Sequence, residues 1–208
     1  MKDYKSHILA ITTDAAKHLV DYKQGFIQGR DLLDINPDDI IIGSRNVLEQ
    51  DSNFKHIIPY ILVKRGDKYL SYQRTSKSGE SRLHGNYSIG FGGHIDVGDV
   101  KLVNDYQQID LVGTIKFSAW RELAEELGII FSHETVDDLV VKGFLYDDTN
   151  DVGQVHIGFV FVVEVDENRE LSSSETQIDI KGFKTKEELV SELAKYENWS
   201  QLLIENFI

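Results

Sequence analysis

The chain has 208 residues, 41% of them hydrophobic, and 35 acidic against 22 basic side chains, for a formal net charge of −13. That length suits one domain with a sizeable core, with or without an accessory segment, and the charge argues against bulk nucleic acid as a partner because phosphate polymers would be repelled. With no cysteine, the chain has no disulfide, thiolate metal site or thiol nucleophile, and a reducing cytoplasm is the expected location.

In the first fifty residues no chemistry is legible. Neither a signal peptide nor a membrane span is expected, since no apolar run in the chain approaches about 20 residues. Thr13 or Asp14 can cap a helix running to about Lys23, with Ala15, His18, Leu19 and Tyr22 on one face. Gly25 and Gly29 interrupt the pattern, Asn36-Pro37-Asp38-Asp39 is a turn, and Ile40-Ile41-Ile42 reads as a short buried strand. The expectation is an accessory segment over 1–53, packed on the core.

From His56 the pattern sharpens. His56 to Val63 is an apolar run of strand length, and Pro59 suggests an early or edge position. Arg65-Gly66-Asp67-Lys68 predicts a hairpin turn, followed by a strand through Tyr69 to Arg74. The loop from Thr75 to Gly85 gathers Arg74, Lys77, Arg82 and His84 in or beside it. In an acidic chain this cluster is either a diphosphate contact or ordinary solvated loop charge. Asn86 to Phe91 reads as a strand leading into Gly92-Gly93-His94, where paired glycines permit close backbone approach to a ligand. Gly90-x-Gly92-Gly93 is not a dinucleotide fingerprint, because the third glycine is missing and no helix follows at once.

A polar stretch from Val100 to about Ile109 precedes a helix that begins near Leu111–Thr114 and ends at Leu127. Within it, Glu122, Glu125 and Glu126 lie at i, i+3 and i+4, inside an arc of about 100° on one face. Trp120, Leu123, Ala124 and Leu127 occupy the opposite face, and Gly128 ends the helix. Three acids so close repel one another unless a cation binds between them, and oxygen donors of this kind suit Mg²⁺ or Mn²⁺. An Arg121–Glu125 pair on a solvated face is the plainer reading of part of this pattern.

Further strands are expected over Val136 to Asp147 and over Val155 to Val165, the latter central. His156 within it reads as a hydrogen-bonded core histidine rather than a ligand. A loop over Leu171 to Ile178 leads to a short strand over Ile180 to Phe183. Thr185 with Glu188 forms a capping box opening a helix, and a last helix over about Asn198 to Asn206 carries Trp199, Leu202, Leu203 and Phe207.

Arg121-Glu122-Leu123-Ala124-Glu125-Glu126-Leu127-Gly128-Ile129 resembles the second half of the Nudix box, and Gly93-His94-Ile95-Asp96-Val97-Gly98-Asp99 resembles its first half. Two departures stand out. Asp99 replaces the family's Glu, and 21 residues rather than 7 separate it from Arg121, which implies an insertion of 14 residues within Val100–Trp120. The resemblance covers roughly Phe54 to Ile208 and implies a Nudix hydrolase domain over 54–208, an α/β (α+β) protein with a three-layer α/β/α sandwich around a mixed sheet.

It further implies metal-dependent hydrolysis of a diphosphate bond in a nucleoside diphosphate linked to another group. Mg²⁺ (or Mn²⁺) would be held by the Gly93 carbonyl, Glu122, Glu125 and Glu126. Arg121 would orient Glu125 or Asp99, and the general base would be Glu125 or Glu122, with Glu175 as the candidate outside the box. Arg74, Lys77, Arg82 and His94 are the expected contacts to a small, nucleotide-like phosphorylated substrate, and a homodimer is compatible with the family. Two alternatives remain. One is a nucleotide-sensing domain without catalysis. The other is an isopentenyl-diphosphate-isomerase-like enzyme, which implies a catalytic cysteine and a histidine-rich metal site.

Overall fold

The computed structural model describes residues 6–29, 35–77, 83–103, 108–129, 139–173 and 176–208. Strand β1 (His7–Thr12) leads directly into helix α1 (Thr13–Leu19), whose N-cap is Thr12, its side chain accepting from the Ala15 N–H at 3.2 Å. The cap thus falls one residue before the expected pair, and the helix ends at Leu19 rather than near Lys23. β2 (Gly25–Gln28), β3 (Ile40–Ser44) and the single-turn α2 (Arg45–Leu48) complete the N-terminal region. Among the described residues β3 pairs only with β1, and it leaves Ile42 40% exposed, so it is an edge strand rather than a buried one.

The long β4 (Phe54–Arg65) turns through Gly66, at φ 59°, into β5 (Lys68–Arg74). The strand expected over 86–91 is split into β6 (Tyr87–Ser88), which pairs with β5, and β7 (Gly90–Phe91), which pairs with β4. After the glycine loop come the small hairpin β8 (Leu102–Val103) and β9 (Gln108–Ile109), then α3 (Leu111–Leu127). Asp110 caps α3 by accepting from the Gly113 N–H at 2.9 Å, and Gly128 closes it in the left-handed conformation at φ 63°. β10 (Gly143–Tyr146) is shorter than the expected strand from Val136, part of which lies outside the described residues. β11 (His156–Glu164), β12 (Ile178–Lys184), α4 (Lys186–Ser191) and α5 (Asn198–Asn206) follow, with Thr185 and Glu188 forming the capping box of α4.

The main sheet has the order β12-β5-β4-β11-β10-β2, with β1, β6 and β7 pairing onto its flanks and β3 beyond β1. It is mixed, because β4 and β11 run parallel while the other pairings are antiparallel. Pro59, expected near an edge, sits in the middle of the central strand β4. There β1 pairs only as far as His56 and β7 begins at Ile61, so Pro59 falls in the gap between these two partners.

Alternation along β4 assigns the layers. Ile57, Ile61 and Val63 join one buried cluster with Ile115, Ala119, Leu123 and Leu127 of α3. Tyr60 and Leu62 join another with Leu189 of α4 and Leu203 and Ile204 of α5. Successive side chains of a strand point to opposite faces, so the sheet is sandwiched between α3 and the C-terminal helices. The N-terminal region contributes β1 against β4 and β2 against β10, both by antiparallel pairing.

Candidate active site

α3 buries one face and turns the other toward a cleft of about 840 Å³ whose walls include Gly93, His94, Arg121, Glu122, Glu125 and Glu126. Helical spacing sets the three glutamates in different surroundings. Glu126 is buried and accepts from the Gly92 N–H at 3.0 Å. Glu122 is mostly buried, whereas the Glu125 side chain is 43% exposed at the mouth. Burial pushes the Glu122 carboxyl up to about 7; the Arg121 charge opposes this and Glu125 adds to it.

Arg121 ties helix to loop. Its Nε and Nη2 donate to the two Asp99 carboxylate oxygens, both at 2.8 Å, and Nη2 also reaches the His94 carbonyl at 3.0 Å. Nη1 lies 2.7 Å from Glu122 and 3.3 Å from Glu125. Asp99 is only 3% exposed, so the two-pronged pair is largely desolvated and holds one geometry. The shorter acid at position 99 is therefore long enough, despite the residues that separate it from Arg121.

The glycine loop fits by having no side chains. A Cβ at Gly92, where φ is 139°, would lie 1.9 Å from the Pro59 carbonyl oxygen, and one at Gly93 would lie 2.9 Å from Glu122 Oε1. Backbone and carboxylate are thus packed together where the sequence pairs them. Gly93, Glu122, Glu125 and Glu126 all line this cleft, and carbonyl and carboxylate oxygens are hard donors of the kind that suit a divalent ion of the magnesium type.

A second cluster stands beside the first. In the parallel register His56 of β4 lies opposite His156 of β11, and the glycine loop delivers His94 between them. His94 Nε2 is 3.1 Å from His56 Nδ1 and 3.2 Å from His156 Nε2. Burial drives the His56 imidazole down to about 3, aided by His156, while a Leu48 backbone group offsets part of this. His94 is lowered for the same main reason. All of this was missed at the level of sequence for His56. His156 is buried and hydrogen-bonded, its Nδ1 2.6 Å from the Val152 carbonyl oxygen, yet it also faces two other imidazoles. The one available signal is that Lys55-His56-Ile57 and Val155-His156-Ile157 each place a histidine at the start of an apolar run.

No family model matches the chain. Protein YmaB of Bacillus subtilis is 34% identical over 163 residues, spanning 77% of this chain and 75% of its own. The crystal structure of Tm1382, a protein assigned to the Nudix hydrolases, superposes with a TM-score of 0.72 at 22% identity, over 96% of both chains. The chain belongs to the family of YmaB and has the Nudix fold. Within that fold, α3 and the glycine loop carry the two stretches that resemble the halves of a Nudix box.

The remaining expected residues are placed unequally in this Nudix cleft. Arg74 lines it, together with Leu83 and Asn86. Lys77 is exposed in the turn after β5 and is not among the cleft-lining residues, while Arg82 and Glu175 lie outside the described residues. The opposite wall, which sequence reasoning did not find, comes from the C-terminal helix: Glu197, Asn198 and Trp199. Glu197 caps α5 through the Trp199 and Ser200 N–H groups and accepts from the Tyr60 hydroxyl at 2.5 Å, locking that wall to β4. Of the two features the isomerase alternative implies, clustered histidines are present and a cysteine is absent from the sequence. No helix among the described residues is long and apolar enough to cross a membrane.

Proposed function

We propose that this Nudix-fold chain hydrolyses the diphosphate bond of a nucleoside diphosphate linked to another group, using Mg²⁺ or Mn²⁺. The observation that carries this reading is the grouping of Glu122, Glu125 and Glu126 at a cleft, beside a glycine loop clamped by the Arg121–Asp99 pair. The Gly93 carbonyl and the three glutamates would hold the ion. The high Glu122 pKa supports this, because a carboxyl that resists ionising beside Glu125 is relieved by a cation. When bound, such an ion screens the diphosphate charge and acidifies an attacking water.

The chain's own residues do the rest. Arg121 fixes the relative position of α3 and the loop, so the oxygen donors stay preorganised. Glu125, the most exposed of the three, would accept the proton of the attacking water. Arg74 on the cleft wall offers a fixed positive charge to a substrate phosphate. The test is turnover of a panel of nucleoside diphosphate derivatives with Mg²⁺ or Mn²⁺. Glu125→Gln is expected to lower kcat by about 10²–10⁴-fold with substrate binding retained. Turnover equal to wild type would remove Glu125 from the reaction, and nucleotide binding without turnover in the wild type would favour a sensor.

A further inference from the structure

We propose that His56, His94 and His156 form a separate site for a borderline divalent transition ion, of which Zn²⁺ is the reference, with an open coordination position facing the cleft. The donor atoms, His56 Nδ1, His94 Nε2 and His156 Nε2, all lie within 4.8 Å of one another. Two of the separations are 3.1 and 3.2 Å. Nitrogens each about 2.0–2.1 Å from a tetrahedral zinc stand about 3.3 Å apart, so little movement is needed to share one ion. The three rings converge with centroids 4.9 to 5.2 Å apart, at steep angles and not stacked.

Neutral rings can place only one useful proton among the three facing nitrogens. The Val152 carbonyl accepts from His156 Nδ1–H at 2.6 Å, so the neutral ring has a lone pair on Nε2. If His94 Nε2 also carries a lone pair, the two face each other at 3.2 Å. If His94 Nε2 carries a proton, His56 Nδ1 must be a lone pair, which puts the His56 proton on Nε2. That atom is buried, and the Leu48 backbone is the group that hydrogen-bonds the His56 ring. In that second arrangement the lone pairs of His56 Nδ1 and His156 Nε2 converge on a single proton, at 3.1 and 3.2 Å. A cation at that point would replace the shared proton, accept all three lone pairs and give the trio a common partner. The Val152 carbonyl then does for His156 what carbonyls commonly do for ligating histidines, fixing tautomer and ring direction.

This site differs in kind from the carboxylate site. Imidazole donors select zinc, iron, nickel or copper over magnesium, whereas carboxylates and carbonyls select magnesium or manganese. Three protein ligands leave a fourth position free, as in zinc sites that act on substrate. Two of them, His94 and His156, line the same cleft as the glutamates. A diphosphate in that cleft would present oxygens to both ions, although the histidine site itself stands independently of the proposed hydrolysis.

The test uses the full chain, stripped with a chelator and titrated with Co²⁺ in excess Mg²⁺, followed by visible absorption and then by displacement with Zn²⁺. The expected result is one Co²⁺ per chain with ligand-field bands of a low-coordinate nitrogen site, displaced by Zn²⁺. Loss of an outer partner of a ligating histidine costs about 10–100-fold in affinity, so loss of a ligand in His94→Ala should cost on the order of 100-fold or more. Glu122→Gln should bind Co²⁺ within a few-fold of wild type. His94 comes from a loop and is partly exposed, so its substitution decides the matter even if His56→Ala or His156→Ala fails to fold. Absence of bound Co²⁺, or equal binding by wild type and His94→Ala, would overturn the site. Loss of binding in Glu122→Gln but not in His94→Ala would do the same, by assigning the ion to the carboxylates.

Discussion

Glu122 shows how burying a carboxyl weakens a fold. Its carboxyl sits at about 7 against an ordinary 4.5, chiefly because it is buried. A group whose folded pKa is raised holds its proton in the folded state after the unfolded chain has lost it. Its favourable contribution is therefore complete below about pH 4.5 and is lost as pH rises to about 7. His56 acts with the opposite sign. Its folded value of about 3 lies below an ordinary 6.5, so stability is lost as pH falls from 6.5 toward 3. Comparing wild type with Glu122→Gln cancels the histidine contribution, which both chains share. In chelator, the variant should gain relative stability between pH 5 and pH 8 on the order of 2–3 kcal/mol, read from urea midpoints at each pH. Added Mg²⁺ should reverse the order above pH 7, because only the wild type offers Glu122 as a charged donor. A difference that stays flat with pH would mean that the carboxyl is ionised throughout.

At the scale of the element, the glycine loop and α3 meet through a backbone contact that leaves no room for a side chain. Gly92 has φ 139°, its would-be Cβ lies 1.9 Å from the Pro59 carbonyl oxygen, and its N–H donates to Glu126. Gly92→Ala combines strained backbone with a collision and should cost about 3–5 kcal/mol, with metal affinity falling as Glu126 moves. Gly98→Ala is the internal control. Nothing lies within 4 Å of a Cβ there, so its stability, read from urea midpoints, should stay within about 0.5 kcal/mol of wild type. These elements explain what the sequence shows and what it hides. α3 is legible because its acids, its apolar face and its glycine stop are consecutive, so local periodicity alone defines it. The Arg121–Asp99 clamp is one of the two orienting contacts the resemblance implies, and Arg121 makes both, to Asp99 and at longer range to Glu125; spacing alone does not report it, because the hairpin β8–β9 and the first turns of α3 lie between the two positions. His56 and His156 are a hundred residues apart and meet only through the parallel register of β4 with β11, which no local pattern reports. The Glu197 wall was hidden for the same reason: its partner Tyr60 is 137 positions away.

For the whole molecule, the question is whether residues before Phe54 are an attachment or a part of the framework. Sequence patterning gave them a subsidiary place, having no strand assigned before Ile40. Yet Ile8, Leu9, Ala10 and Ile11 of β1 are completely buried. Their alternation splits them between two clusters: Leu9 and Ile11 enter the core that contains α3, while Ile8 and Ala10 pack with Leu48 and Phe54. Three large aliphatic side chains at about 1.5–3 kcal/mol each amount to a substantial share of the roughly 5–15 kcal/mol that holds a domain together. β1 also covers β4 at Phe54 to His56, so its loss would leave an unpaired apolar edge beside one of the clustered histidines. A chain starting at residue 54 should therefore be insoluble or lack fixed tertiary structure, read as loss of the soluble fraction and of the near-ultraviolet dichroism of Trp120 and Trp199. Arg45 and Glu49, which line the cleft, would go with it. Should the shortened chain instead unfold cooperatively with an unchanged spectrum, the boundary near residue 54 separates an accessory segment from a self-sufficient core. Full-length chains carrying Leu9→Ala would distinguish the two cases independently. A cost of about 2–5 kcal/mol marks β1 as part of the common core, whereas a cost under about 1 kcal/mol marks it as an addition.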